Sequence, residues 1–163
     1  KNWQEITERV RRKSVTSSTT HYKESKFLKK QPSEILGNNM MECLPNTSNI
    51  VIEKFKLINR AKRKKNRKKS FDLLVGLYFR DMHQIILEMY RVLKNNSLSF
   101  IVIGDSAPYG VYVPTDKILG EMAIEVGFSG YILEPLRLRG YKWLNLTYRH
   151  KIRLRESLLI LQK

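Results

Sequence analysis

Cysteine is almost absent: Cys43 is the single one in 163 residues. One thiol excludes an intramolecular disulfide, and it reads as a buried or incidental group, since no base stands near it in the sequence. The three histidines, His21, His83 and His150, are scattered, so no Cys- or His-based metal site has its ligand spacing. Long apolar runs are missing as well. No stretch of about 18 apolar residues exists to span a bilayer, and no charged start followed by an apolar block resembles a secretion signal. The cytoplasm is the default location and no membrane partner is expected. The chain also begins at Lys1 without a Met, which suggests a processed or excerpted fragment.

Acidic residues are scarce relative to bases. Fifteen Asp and Glu face 31 Lys and Arg, for a formal net charge of +16. The excess is uneven, because residues 1–69 carry 19 bases against 6 acids and residues 70–163 carry 12 against 9. A polyanionic partner follows, and nucleic acid fits best, since each phosphate neutralised releases condensed counterions. The densest run is Arg60 to Lys69, with eight bases in ten residues. Lys62, Arg63, Lys64, Lys65, Arg67, Lys68 and Lys69 are thus candidates to track a phosphate backbone, reading charge and not sequence. A solvated loop without a partner remains the plainer alternative.

Taken in order, Trp3, Ile6 and Val10 recur at three and four and predict a short amphipathic basic helix ending in Arg11, Arg12 and Lys13. The serines and threonines from Ser14 to Thr20 stop it. Tyr22 to Ile58 is poorly patterned, broken by Pro32 and Pro45, with a helix suggested only over Ile50–Ile58. Phe71 to Lys94 is the clearest helix, its apolar residues spaced for one core-facing stripe. Asn95-Asn96 turns the chain into a strand ending in Phe100 to Ile103, four apolar residues expected to be buried on both faces.

That strand breaks off at Gly104-Asp105-Ser106, where α/β folds place their chemistry. After a loop with Pro108, Gly110 and Pro114, Thr115 is placed to cap a helix that Gly127 closes. Asp116 in its first turn suits the positive end of the helix. Tyr131 to Leu138 and Arg153 to Leu161 read as further strands. Between them Tyr141, Trp143 and Tyr148 interleave with Lys142, Arg149 and His150, a pattern suited to nucleic acid or to a hairpin tip packed on the domain.

Phe100 to Asp116, together with Tyr90-Arg91-Val92-Leu93-Lys94 and Leu154 to Leu161, resembles the C-terminal half of a site-specific DNA methyltransferase of the group that makes N6-methyladenine or N4-methylcytosine. The resemblance covers roughly the last 90 residues. It implies an α/β fold: a partial Rossmann-like methyltransferase sheet with flanking helices, at residues 70–163, behind a basic, irregular N-terminal region, at residues 1–69, that can contact DNA. It implies S-adenosylmethionine as cofactor, DNA as partner, and methylation of the kind that serves restriction–modification. In the family the counterpart of Gly104-Asp105-Ser106 lines one side of the base and cofactor cleft, which makes Gly104, Asp105, Ser106, Tyr109 and Tyr112 the site candidates. Arg11, Arg12 and Lys13 align with an Arg-rich segment that follows the catalytic loop, and Lys142 and Arg149 join the nucleic-acid candidates.

Two family motifs are missing. Neither the Asp-Pro-Phe-x-Gly-Ser-Gly cofactor loop nor the Ser/Asp/Asn-Pro-Pro-Tyr loop that holds the amine occurs here, so no catalytic residue is assigned. Asn95-Asn96-Ser97 also replaces the usual Pro-Gly-Gly turn. The expectation is a fragment or split subunit, inactive alone, whose open sheet is completed by a complementary half. Two alternatives are a fragment acting on RNA and a noncatalytic nucleic-acid-binding module derived from such an enzyme. Asp105 and Ser106 have a plainer alternative too, in which they only end the strand and bond the loop.

Overall fold

The computed structural model describes residues 2–27, 29–141 and 151–163, without the side chains of Gln4, Glu8, Arg11, Arg12 and Lys13. Six α-helices and three strands are seen among them: α1 (Trp3–Lys13), α2 (Pro32–Leu36), α3 (Asn38–Cys43), α4 (Pro45–Lys64), α5 (Phe71–Val92), β1 (Leu98–Gly104), α6 (Thr115–Val126), β2 (Gly130–Arg139) and β3 (Leu154–Gln162). The chain is mixed α/β, and the expected helix of Phe71–Lys94 and all three expected strands form within a residue or two of their anticipated ends.

β3 lies between β1 and β2 and runs antiparallel to both. The outer strands are therefore parallel to each other, and α6 carries the chain from one to the other. Helix α6 packs across all three strands on one face, with α4 and α5 behind it. At Gly120 the helix rides directly on the Tyr131 ring, where an added Cβ would come within 2.5 Å of ring carbon. The other face of the sheet is bare. Phe100 and Val102, expected to be buried on both sides of their strand, are each 60% exposed, as is Ile132 across the sheet. Alternate residues Ile101 and Ile103 take the core side. The strand is thus buried on one face only.

The N-terminal third is more regular than expected. Val51, Phe55 and Ile58 recur at helical spacing and are buried, which sets the inner face of α4. Its first turn holds polar Asn46, Thr47 and Ser48, and the backbone N–H groups of Asn46 and Thr47 are capped by the Glu125 carboxylate of α6 at 3.0 and 3.1 Å. One core joins Leu36, Met40 and Ile58 to Phe79, Ile86, Leu119 and Leu159, so it is continuous across residues 69 and 70. Helix α1 forms as predicted, but Trp3 is 80% exposed and its apolar residues do not enter that core. The Ser/Thr stretch after it is anchored: Asp81 of α5 accepts from the Thr16 backbone N–H at 3.0 Å and its hydroxyl at 2.6 Å.

Candidate functional site

The corner after β1 is closed by charge. Gly104 has no side chain because the Arg139 guanidinium of β2 fills that space, 2.3 Å from where a Cβ would stand. Arg139 Nη2 donates to the Asp105 carbonyl at 2.6 Å, and the Asp105 N–H donates to the Arg155 carbonyl of β3 at 3.0 Å. Asp105 does not emerge into a cleft; it is 2% exposed. Its Oδ2 accepts from the Tyr112 hydroxyl at 2.6 Å and lies 3.8 Å from Arg155 Nε, while Oδ1 has no partner among the described residues.

Behind it lies a second buried carboxylate, Asp116, fully out of solvent. Ser157 Oγ donates to it at 2.7 Å, Arg155 Nε at 3.0 Å and the Lys117 N–H at 2.7 Å. Burial pushes both acids up, but those three donors outweigh it at Asp116 and hold its carboxyl below the ordinary range. Asp105 keeps the upward shift, from burial first and then from the neighbouring Asp116 charge. The Tyr112 phenol is pushed up to about 12, by burial and by its bond to Asp105. Arg155 is held above its usual value by its bond to Asp116. Thr115, expected as the cap of α6, is instead its first residue, with the hydroxyl turned back to the Val113 carbonyl at 3.4 Å.

The loop then folds against the basic run. Ser106 pairs with Val113 in an isolated bridge. Tyr109, at φ +54°, lays its ring against Phe71 with centroids 5.2 Å apart and donates its hydroxyl to the Lys69 carbonyl at 2.6 Å. Lys65 Nζ returns a bond to the Tyr109 carbonyl at 2.7 Å. Helix α4 ends in between, with Asn66 at φ +45°, as asparagine tolerates. Arg63, Lys64, Arg67, Lys68 and Lys69 are exposed on this turn. Lys62 is turned inward to Ser70 and to Glu24, 3.2 Å away, and braces the turn.

Of the sequence candidates, then, Asp105 and Tyr112 touch, and Tyr109 is joined to the basic turn. Arg11, Arg12 and Lys13 lie at the end of α1, with side chains outside the described residues, as are Lys142 and Arg149 entirely. Arg139, Arg155 and Ser157 were not singled out from sequence; a charged residue inside an otherwise apolar terminal strand was the one available sign. No group of three or more His, Cys, Asp or Glu able to hold a metal ion occurs among the described residues, and no helix among them is long and apolar enough to cross a membrane.

A comparison with known proteins finds a partial relative. The chain is 36% identical over 67 residues to the Type II methyltransferase M.AvaI of Nostoc sp. (strain PCC 7120 / SAG 25.82 / UTEX 2576). It matches the protein of the same name from Anabaena variabilis equally, and the match takes in 41% of this chain and 14% of that relative. The chain therefore aligns with about a seventh of a Type II methyltransferase. No family model matches, and no solved structure does.

Proposed function

We propose that this chain is part of an S-adenosylmethionine-dependent DNA methyltransferase that methylates the exocyclic amine of adenine at N6 or of cytosine at N4. The observation that carries the reading is the 67-residue similarity to two Type II methyltransferases. The parallel pair β1 and β2 joined through α6 supports it, because a strand–helix–parallel-strand crossover is the unit from which doubly wound sheets are made.

The residues present do not fit the cofactor by themselves. The space beside Gly104 is taken by Arg139, and Asp105 is buried under Tyr112. The methyl donor and the amine-holding loop accordingly belong to a complementary segment, and no step of the transfer is assigned to this chain. Its part is to supply a wall through Gly104, Asp105, Ser106, Tyr109 and Tyr112, and a cationic surface for the duplex through the turn at Arg63–Lys69. The complementary segment docks on the bare side of the sheet. There Phe100, Val102 and Ile132 make an apolar patch beside the free edge of β1, and a patch of that kind marks an interface. The occupant is the remainder of the methyltransferase, since the similarity accounts for only 14% of each relative.

The test is a pull-down of this chain by a polypeptide carrying the glycine loop and the Pro-Pro-Tyr loop, followed by binding to duplex DNA. Association that is lost on Phe100→Asp supports the reading. Failure of the two folded proteins to associate counts against it.

A further inference from the structure

The cavity between α4, the start of α5 and the segment around Phe27 has a volume of about 580 Å³, within the range of small-molecule sites. None of the five candidates near Gly104 lines it. Its walls are of two kinds. Lys56, Arg60 and Arg63 stand on the rim, and among the described residues no hydrogen bond or ion pair engages their side chains. The inner wall carries Asp72, which is 3% exposed. Asn59 Nδ2 donates to Asp72 Oδ2 at 2.5 Å, whereas Oδ1 is buried without a partner. Glu24, the other acid of the cavity, is already engaged by Ser70 and Lys62.

A ligand that satisfies both walls needs an anionic group for the rim and a hydrogen-bond donor for Asp72, because a buried acceptor left unpaired costs the full desolvation of that atom. Guanidinium groups favour phosphate at the rim. Phe27 adds an aromatic wall against which a flat ring can lie. We infer that this cavity binds a nucleoside monophosphate whose base carries an exocyclic amine, with the phosphate on Arg60 and Arg63 and the amine on Asp72 Oδ1. The same chemistry reaches the site as a free nucleotide or as an unpaired residue of a DNA strand.

Calorimetric titration of the full chain with dAMP, dCMP, dIMP and dUMP tests this. The amine-bearing pair is expected to bind about tenfold tighter than the pair with a carbonyl in its place. Equal binding of all four, or no binding of dAMP and dCMP at millimolar concentration, overturns the assignment. Asp72→Asn decides the wall: Asn59 holds the oxygen side, so the new amide NH2 faces the cavity and the preference should be lost or reversed. An unchanged preference contradicts the proposal. Should that variant fail to fold, Lys56→Glu with Arg60→Glu, both on exposed positions, should reduce the affinity of dAMP to that of deoxyadenosine; undiminished dAMP binding contradicts it. A duplex with one unpaired adenine, compared with dAMP, separates the sources, tighter duplex binding assigning the site to DNA and equal binding to the free nucleotide. Methyl transfer is scored separately with labelled S-adenosylmethionine, so failure here leaves the functional reading standing.

Discussion

The Tyr109 hydroxyl donates to the carbonyl of Lys69 across 2.6 Å, and Lys65 Nζ donates back to the Tyr109 carbonyl at 2.7 Å. These two bonds tie the basic turn to the loop that follows β1. A turn of like charges repels itself, and a bond at each end holds it in one shape before any polyanion arrives.

Tyr109→Phe removes one of those bonds and leaves the ring on Phe71. Amide hydrogen exchange over residues 65–70 should quicken, and duplex DNA affinity should fall about fivefold, in line with the loss of about 1 kcal/mol. The salt slope of binding should stay the same, because the cations are unchanged in number. Unaltered exchange rates would show that the bond does not hold the turn.

Asp105 and Asp116 should make opposite contributions to the pH dependence of stability. The raised Asp105 stabilises below its ordinary value of 3.8 and loses that contribution as pH rises through its folded pKa. The lowered Asp116 contributes above 3.8 and loses it as pH falls. Asp105→Asn should therefore raise stability at pH 7 by about 1 kcal/mol, as it replaces an unpaired buried oxygen by a neutral group. Asp116→Asn should lower it by about 3 kcal/mol, by leaving Arg155 without its partner. Urea denaturation from pH 3 to 7 measures both, and a destabilised Asp105→Asn protein would contradict the assignment.

His83 lies on α5 fully out of solvent, and neither ring nitrogen has a partner among the described residues. Burial lowers its pKa from 6.5, so the unfolded chain takes up a proton first and stability falls as pH drops below 6.5. His83→Leu should gain about 1 kcal/mol at neutral pH and flatten that part of the profile. Thermal melts at pH 5 and 7.5 check it; equal losses in both proteins on acidification would refute the role.

The helix α5 and the three strands were legible because each has one apolar period and a turn residue at its end, such as Asn96, at φ +62°. Helix α4 was missed over its first turn because its cap, Glu125, lies 78 residues further on. The same separation hid the corner at Gly104. Its filling residue, Arg139, is 34 positions from Asp105, and the Arg155 that answers Asp116 is 39 positions away. Tyr109 was read as a ring free to stack on an extruded base, yet its hydroxyl and one ring face are engaged. The alternation of β1 was misjudged for a related reason: four apolar residues in a row suit two buried faces, and here only one is covered.

Methyl transfer from labelled S-adenosylmethionine to duplex DNA tests the central claim most directly. The chain alone and the chain mixed with a polypeptide carrying the glycine and Pro-Pro-Tyr loops are assayed side by side. Label should enter DNA only in the mixture, and nucleoside digestion should recover it as N6-methyladenine or N4-methylcytosine. A mixture in which the two polypeptides associate and bind DNA but transfer no label would contradict the account.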